Sequence, residues 1–271
     1  MADRYAVIGN PVSHSKSPWI HVEFARQTRQ DIEYARIEAP LDGFARTMDA
    51  FRAAGGRGAN VTLPFKEQAF LYCRDALTER ARAAGVVNTL IFENGGGAGK
   101  VLGDNTDGVG LLRDITVNLG RAIAGRRVLL MGAGGAAQGV LGPLLGAGPQ
   151  HLVIANRTAG KARSLAQRFG ATAGGGYAEL GGAQFDLLIN ATSAGLADEA
   201  PPLPPGAFAP GALGYDMVYG RDTPFLANAR AAGALACDGC GMLVEQAAES
   251  FLLWRGLRPD TAPVLAALRQ R

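Results

Sequence analysis

The stretch "RRVLLMGAGGAA", residues 126–137, places a run of apolar residues directly before a glycine-rich turn. The run 126–131 predicts a buried strand, and the residues after the turn predict a helix that continues to about residue 147. A tight glycine turn between a strand and a helix lets backbone N–H groups approach a pyrophosphate at the positive end of the helix dipole. The stretch therefore predicts an α/β unit that binds a dinucleotide, and the predicted contacts are Gly132, Ala133, Gly134, Gly135 and Ala136.

The end of the next predicted strand, residues 152–155, indicates which dinucleotide is bound. An NAD site usually has Asp or Glu there, whereas this chain has Asn156, Arg157 and Thr158, followed by Lys161. Arg157 can pair with a 2′-phosphate through its planar guanidinium, and Lys161 adds a second positive charge one helical turn further on. The alternative is a solvated basic helix start, which is unfavourable because cations at a helix N-terminus repel the dipole unless an anion joins them. The pattern predicts NADP rather than NAD.

Length and composition narrow the class of protein. A chain of 271 residues can form two domains of roughly 100 to 150 residues each. The net charge is +3, and no basic run is interleaved with aromatic residues, so we expect a small-molecule substrate and no nucleic-acid partner. No apolar stretch reaches about 18 residues, and the N-terminal residues do not resemble a secretory signal, so we expect a cytoplasmic protein with no membrane association. The pair Cys237 and Cys240 has no nearby His or second CxxC, and we predict no metal site.

Strand and helix patterns alternate along the whole chain. The first strands are predicted at 5–8, 33–37 and 59–63, with helices beginning at 18 and spanning 41–54, an order that favours a mainly parallel sheet. Residues 86–93 and 100–103 predict a hairpin whose loop is the glycine-rich tract 94–99. A helix over 106–119 leads to a second sheet, with later strands at 152–155, 186–189 and 213–217. Two helices, at 242–255 and 261–269, end the chain.

The stretch "GNPVSHSKSP", residues 9–18, indicates a second site. Ser17 before Pro18 predicts a helix N-cap, so that free N–H groups face a loop that contains Ser13 and Ser15. Such a loop favours a carboxylate, although simple capping by Ser17 explains the residues equally well.

Three further stretches place polar residues at the ends of predicted strands. Thr62 and Lys66 occur in "NVTLPFK", Asn88 interrupts the apolar run "VVNTL", and Asp107 in "GDNTDG" begins a predicted helix. In an open α/β sheet, ligands bind beyond the carboxyl ends of the strands. We therefore expect the side chains of Ser15, Thr62, Lys66 and Asn88 to converge there.

Together these stretches resemble the shikimate dehydrogenase family, NADP-dependent enzymes of aromatic amino-acid (chorismate) biosynthesis. The likeness extends from Tyr5 to about Trp254 and includes "NATSAG", "YDMVY" and "GMLVEQAAESF" in the family's order. It implies two α/β domains with the active site in the cleft between them. Residues 1–105, completed by the C-terminal helices 241–271, would form the substrate domain, and residues 106–240 a Rossmann-type NADP domain.

The resemblance also implies the reaction, the reversible NADPH-dependent reduction of 3-dehydroshikimate to shikimate, with Lys66 and Asp107 as the catalytic pair. It assigns the substrate carboxylate to Ser15, Ser17 and Tyr219. It assigns the ring hydroxyls to Thr62, Asn88, Asp107 and Gln246, and the nicotinamide end of the cofactor to Thr192 and Met217. One departure is Lys161, where relatives often carry Arg, and this change predicts a weaker contact to the 2′-phosphate.

Several alternatives remain at this point. A quinate/shikimate dehydrogenase of broader specificity is the nearest, although its NAD-preferring members tend to have an acidic residue after the second strand, and residues 155–166 contain none. A non-catalytic sensor of NADP and a cyclic carboxylate is disfavoured by the presence of both Lys66 and Asp107. His14 and His21 are rival acids, with His21 expected to be a packing or surface residue. The oligomeric state is left open between a monomer and a homodimer.

Overall fold

The computed structural model describes residues 2–93 and 99–271, and the chain divides into two compact units. The first unit consists of Met1–Gly110 and Val244–Arg271, and the second of Leu111–Leu243. The sequence predicts boundaries after residues 105 and 240, and in the structure the divisions fall slightly later. The first division lies inside a helix, Asp107–Arg113, so no loop marks it.

The strands of the described residues are three to nine residues long, and most overlap the stretches that the sequence predicts as strands. In chain order they are β1 (Asp3–Gly9), β2 (Ile32–Glu38), β3 (Gly56–Val61), β4 (Thr89–Phe92), β5 (Val101–Asp104), β6 (Arg127–Met131), β7 (His151–Ala155), β8 (Ala173–Gly175), β9 (Phe185–Asn190), β10 (Phe208–Asp216) and β11 (Leu235–Cys237).

The helices connect these strands and also end the chain. In chain order the α-helices are α1 (Ser17–Thr28), α2 (Phe44–Ala53), α3 (Lys66–Tyr72), α4 (Glu79–Ala84), α5 (Asp107–Arg113), α6 (Gly135–Gly146), α7 (Ala159–Phe169), α8 (Pro224–Ala231), α9 (Cys240–Arg255) and α10 (Ala262–Arg269). The single helix predicted over 106–119 is in fact α5 followed by one π-helical turn, Asp114–Asn118, in which the Leu119 N–H donates to the Asp114 carbonyl. Within residues 2–93 and 99–271, no helix has the length and apolarity needed to cross a membrane.

The first unit contains a five-stranded mixed sheet in the order β2-β1-β3-β4-β5. β1 pairs in parallel with β2 and β3, as the alternating pattern predicts. β4 is antiparallel to β3 and to β5, so the predicted hairpin forms one edge of the sheet. Of its predicted loop, residues 94–98 lie outside the described residues.

The second unit contains a six-stranded sheet in the order β8-β7-β6-β9-β10-β11, and all of its pairs are parallel. β6 occupies a central position, and the chain proceeds first to one side and then to the other. This is the strand order of a doubly wound dinucleotide-binding sheet.

Both sheets bury side chains on both faces. In β6, Val128 and Leu130 pack into one apolar cluster with α6 and α7, whereas Leu129 and Met131 pack into another with α8. Successive side chains of a strand point to opposite faces, so a continuous apolar run is expected where helices cover both. The glycine turn therefore follows a strand in which every residue after Arg127 is buried.

His21 is a buried packing residue of the first unit. Its ring is fully buried and stacks on Tyr34, with ring centroids 4.2 Å apart and an interplanar angle of 6°. Among the described residues neither ring nitrogen makes a hydrogen bond of good geometry. Burial lowers the pKa of His21 to about 3, and the nearby Asn60 side chain opposes this only partly. His21 is therefore neutral near pH 7 and packed among aromatic rings.

We expect His21 to make the protein less stable in mild acid. Because the pKa of His21 is about 3 in the folded chain and near 6.5 in the unfolded chain, the unfolded chain binds the proton first as the pH falls. The neutral ring contributes fully to the free energy of unfolding above about pH 6.5. Below that pH the contribution falls by about 1.4 kcal/mol per pH unit. Urea unfolding between pH 7 and 4 should show this extra slope in the wild type and not in His21→Phe. The control His151→Phe removes an exposed histidine and should keep the wild-type slope; equal slopes for all three proteins would contradict the prediction.

Candidate functional site

The loop between β1 and α1 holds Ser15 and Ser17 at the beginning of the helix. The predicted N-cap at Ser17 is wrong by one position, because α1 begins at Ser17 and its N-cap is Lys16. The Ser17 N–H instead donates to the Ser15 hydroxyl oxygen at 3.3 Å. Both serines are buried, and Arg36 fixes the loop by donating from Nε and Nη2 to the Ser15 carbonyl at 3.0 and 2.6 Å.

The loop after β3 lies against the loop after β1. The Thr62 N–H donates to the Ile8 carbonyl at 2.9 Å, and the Asn10 N–H donates to the Leu63 carbonyl at 3.0 Å. A Cβ atom at Gly9 would lie 2.5 Å from Thr62 Cγ2 and 3.1 Å from the Leu63 carbonyl oxygen, so a larger residue would displace Thr62. Thr62 therefore lies beside the first residues of the serine-containing loop, at the carboxyl ends of neighbouring strands.

Lys66 and Asp107 form a close ion pair. Each is the first residue of its helix, α3 and α5, and Lys66 Nζ lies 2.5 Å from Asp107 Oδ2. The side chains are 13% and 7% exposed, so water and salt screen their attraction only weakly. Asn88 Nδ2 donates to the other carboxylate oxygen, Oδ1, at 2.9 Å. An ammonium held this firmly can donate a proton from a fixed position.

A residue from the C-terminal part of the chain completes this group. Gln246, on α9, is 8% exposed, and its Oε1 lies 3.4 Å from Asn88 Nδ2. The structure thus brings Lys66, Asn88, Asp107 and Gln246 together, and we call these four residues the Lys66 cluster. Ser15, Ser17 and Thr62 belong to the neighbouring pair of loops.

Four buried polar residues around Asn88 were missed in the sequence. Asn60, Thr89, Thr106 and Ser250 are each at most 5% exposed and hydrogen bond to one another or to Asn88. They stand inside stretches quoted above, but their side chains do not differ in type from those of ordinary buried or capping residues.

In the glycine turn of the second unit, Gly132 and Gly134 are glycine for different structural reasons. Gly132 has φ +108°, and a Cβ atom there would lie 3.1 Å from the Ala191 carbonyl oxygen. Gly134 is the N-cap of α6, and a Cβ atom there would meet no described atom within 4 Å. Packing of the chain therefore requires glycine at 132 only, whereas close approach of a pyrophosphate to the start of α6 would explain Gly134. Ala133 lies between them, and Gly135 and Ala136 begin α6.

The residues after β7 place two cations at the start of α7. Arg157 and Lys161 are exposed, and the first turn of α7 contains no acidic residue. The Asn156 side chain donates to the carbonyl of Thr158, the N-cap of α7, at 3.1 Å and so shapes the turn. Because the helix dipole is positive at this end, two cations with no acidic residue in the same turn fit an anionic ligand.

β9 ends beside the glycine turn, and β10 ends beside β9. Asn190 Oδ1 accepts hydrogen bonds from the Thr192 hydroxyl at 2.7 Å and from its N–H at 3.1 Å. The Met217 N–H donates to the Asn190 carbonyl at 2.9 Å, and Thr192 Cγ2 lies 3.3 Å from where a Gly132 Cβ would be. Tyr219 follows two residues after Met217 and is half-buried. Its predicted contact to the substrate stays a prediction.

Three family models match successive parts of the chain. The shikimate dehydrogenase substrate binding domain matches residues 7–90, shikimate / quinate 5-dehydrogenase matches residues 115–197, and the shikimate 5′-dehydrogenase C-terminal domain matches residues 239–269.

The chain is also similar to individual proteins over its length. It is 59% identical over 277 residues to the shikimate dehydrogenase (NADP(+)) of Aromatoleum aromaticum, with 99% of this chain and 98% of that protein covered. It is 60% identical over 275 residues to the shikimate dehydrogenase (NADP(+)) of Nitrosospira multiformis, with the same coverage of 99% and 98%. The solved structure of shikimate 5-dehydrogenase from Thermus thermophilus in complex with NADP(H) and shikimate superposes with a TM-score of 0.87, at 35% identity and 99% coverage of both chains.

Proposed function

This chain belongs to the shikimate dehydrogenase family, and from that premise we propose that the Lys66 cluster and the glycine turn carry out the family's reaction. The chain is an NADP-dependent oxidoreductase that interconverts 3-dehydroshikimate and shikimate. The observation that supports the catalytic roles is the buried contact of 2.5 Å between Lys66 and Asp107.

Lys66 is the proton donor in the direction of reduction. NADPH, when bound, supplies the hydride, and negative charge develops on the ketone oxygen of the substrate. The Lys66 ammonium stabilises that charge and donates the proton, and in the reverse direction the amine accepts it. Asp107 holds the ammonium in place, and Asn88 holds Asp107.

The remaining residues bind the two ligands. We assign the carboxylate of shikimate to Ser15, Ser17 and Tyr219, and its ring hydroxyls to Thr62, Asn88, Asp107 and Gln246. The pyrophosphate of NADP is assigned to the glycine turn, where the open surroundings of Gly134 fit it. The 2′-phosphate is assigned to the exposed cations beside α7, and the nicotinamide end to Thr192 and Met217. The residues assigned to the 2′-phosphate are Asn156, Arg157, Thr158 and Lys161.

Two further properties are part of the proposal. We place the protein in the cytoplasm, where cysteine thiols such as the buried Cys73 stay reduced. We propose that it acts as a monomer or a homodimer.

A second candidate is a dehydrogenase that also accepts quinate, which the name of the family model over residues 115–197 favours. Absorbance at 340 nm, with shikimate or quinate and with NADP or NAD, separates the candidates. We expect the highest kcat/KM with shikimate and NADP. Comparable values for quinate would favour the broader enzyme, and no turnover with any pair would favour a non-catalytic sensor.

We expect Arg157→Ala to raise KM for NADP by roughly tenfold to a hundredfold, because it removes a charge-assisted contact to the 2′-phosphate. KM for shikimate should change less than about twofold. The matched control is Arg168→Ala, which removes the same charge from the last turn of the same helix and should leave both constants unchanged. Ser15→Ala should show the reverse pattern, weakening shikimate but not NADP. An unchanged KM for NADP in Arg157→Ala would contradict the assignment.

A further inference from the structure

Three buried hydroxyl groups lie directly behind the Lys66 cluster. Thr89 at the start of β4, Thr106 before α5 and Ser250 on α9 are all 0% exposed. Their hydroxyl oxygens lie 2.9 Å (Thr89 to Ser250), 3.2 Å (Thr106 to Ser250) and 3.4 Å (Thr89 to Thr106) apart. We call these three residues the hydroxyl triangle. Each hydroxyl can donate one hydrogen bond and accept others, so the direction of every bond depends on the neighbours.

Asn60 fixes that direction from one side. Its Nδ2 donates to Ser250 at 2.9 Å, to Thr89 at 3.2 Å and to the backbone carbonyl of Asn88 at 3.3 Å. A carbonyl can only accept, so the NH₂ group of Asn60 must face this side, with its Oδ1 accepting from the Tyr34 hydroxyl at 2.7 Å. Ser250 and Thr89 therefore accept hydrogen bonds from Asn60, and each keeps one proton to donate to Asn88, to α9 or to another hydroxyl of the triangle.

Asn88 contacts two hydroxyls of the triangle through the two ends of its amide. Its Oδ1 accepts from the Thr106 N–H at 2.8 Å and from the Thr89 hydroxyl at 2.9 Å. Its Nδ2 donates to the Thr106 hydroxyl oxygen at 2.9 Å, which is closer than the 3.2 Å between that hydroxyl and Oδ1. A backbone N–H can only donate, so Oδ1 must face it and the NH₂ group of Asn88 must face Asp107. The Thr106 N–H behind Asn88 thus selects the orientation in which the Asn88 amide donates to the Asp107 carboxylate.

The triangle also contacts the second amide of the cluster. The Thr106 hydroxyl lies 3.4 Å from Gln246 Oε1, and the Ser250 hydroxyl donates to the Gln246 carbonyl one helical turn earlier at 3.1 Å. Both bonds orient the same residue of α9, one through its side chain and one through its backbone.

We propose that the hydroxyl triangle is the positioning element of the Lys66 cluster: together with the Thr106 N–H it holds the Asn88 amide in the direction that donates to Asp107, it orients the Gln246 amide, and through Asn88 it keeps the Asp107 carboxylate against Lys66. The inference rests on the proposed function, in which these residues bind and reduce the substrate. Thr89, Thr106 and Ser250 are positioning residues, because they act through Asn88 and Gln246. Small errors in the placement of catalytic groups cost large factors in rate, which gives such residues a measurable effect.

The test separates the hydroxyl of Thr106 from its methyl group. Thr106→Val keeps the shape and loses the hydroxyl, whereas Thr106→Ser keeps the hydroxyl and loses a buried methyl. We expect Thr106→Val to lower kcat/KM for shikimate by roughly tenfold to a hundredfold, with KM for NADP within about twofold of wild type. Thr106→Ser should stay within about threefold of wild type in kcat/KM even though its Tm falls.

A purely structural role gives a different result. In that case kcat/KM would follow Tm in both variants, and equal kcat/KM for Val and Ser would overturn the proposal. Thr28→Val is the control for the loss of a threonine hydroxyl. Outside the triangle, on α1, the Thr28 hydroxyl donates to the Phe24 carbonyl at 2.7 Å, the kind of bond that Ser250 makes to Gln246. Thr28→Val should leave kcat/KM unchanged. If Thr106→Val shows no cooperative melting, Thr89→Val and Ser250→Ala replace it, since each removes one hydroxyl of the triangle.

Calorimetric titration with shikimate keeps the inference separate from the proposed function. If the wild-type protein binds shikimate but does not turn it over with NADP, the proposed function fails. The inference is then judged by Kd, which should rise in Thr106→Val and not in Thr106→Ser. Equal Kd values for the two variants would overturn it.

Discussion

We expect Lys66→Ala to lower kcat for shikimate oxidation by at least about a hundredfold, while KM for shikimate changes much less. Lys66 acts mainly on the reacting oxygen, whose proton its amine accepts in this direction, and the assigned hydroxyl and amide contacts to the substrate remain. Its close contact with Asp107 and its low exposure make this charge both fixed and weakly screened. Steady-state kinetics at saturating NADP, together with single-turnover rates, give the two constants separately.

Lys66→Arg refines the same prediction. A guanidinium keeps the positive charge but is a very poor proton donor, and its planar shape differs from an ammonium. We expect it to remain far below wild type. Nearly full activity in Lys66→Arg would mean that Lys66 supplies only a positive charge and no proton. Normal turnover in Lys66→Ala would make His14 the next candidate for the acid.

The second large effect is expected for Asp107→Asn, with a fall in kcat of about a hundredfold or more. Oδ2 of Asp107 accepts from Lys66 and Oδ1 accepts from Asn88, so both of its oxygens face groups that donate. An asparagine offers only one acceptor, and its NH₂ group must point at either the ammonium or the Asn88 amide. The substitution therefore removes the negative charge. It also places the new NH₂ group against another hydrogen-bond donor in a buried position.

A double variant shows whether the two residues act as a unit. We expect Lys66→Ala with Asp107→Asn to be about as slow as the slower single variant, because removing one partner already abolishes the pair's action. If the two losses multiplied in the double variant, Lys66 and Asp107 would be acting independently, and the assignment of Asp107 as the group that holds Lys66 would be wrong.

The parts of the fold that could be predicted are those with long apolar patterns. β6 and β1 are buried on both faces, so their residues form uninterrupted apolar runs that indicate a central strand. β8 and β11 have three residues each, and α3 and α4 have seven and six, which is too short for a periodic pattern. Their positions are determined by packing against neighbouring strands.

The residues of the site also divide into those that the sequence predicts and those that it does not. Lys66, Asn88 and Asp107 stand in stretches where a polar residue ends or interrupts a strand, and the family resemblance adds Gln246. The hydroxyl triangle has no such signal, because Thr89 and Ser250 are 161 positions apart and meet only through the packing of α9 against the sheet. A buried threonine that makes hydrogen bonds and one that only fills space look identical in a sequence.

The discontinuous first unit has a consequence for synthesis on the ribosome. Residues 111–243 form a continuous unit and have all been translated before Val244 and the rest of α9 emerge, whereas the first unit needs both ends of the chain. Domains usually fold as units during translation, beginning at the N-terminus. Here the order is reversed: the proposed cofactor half can be complete while Gln246 and Ser250 are still missing from the other half. A translation product that stops before Val244 would thus carry the glycine turn without a complete Lys66 cluster. We expect such a product to bind NADP without reducing it.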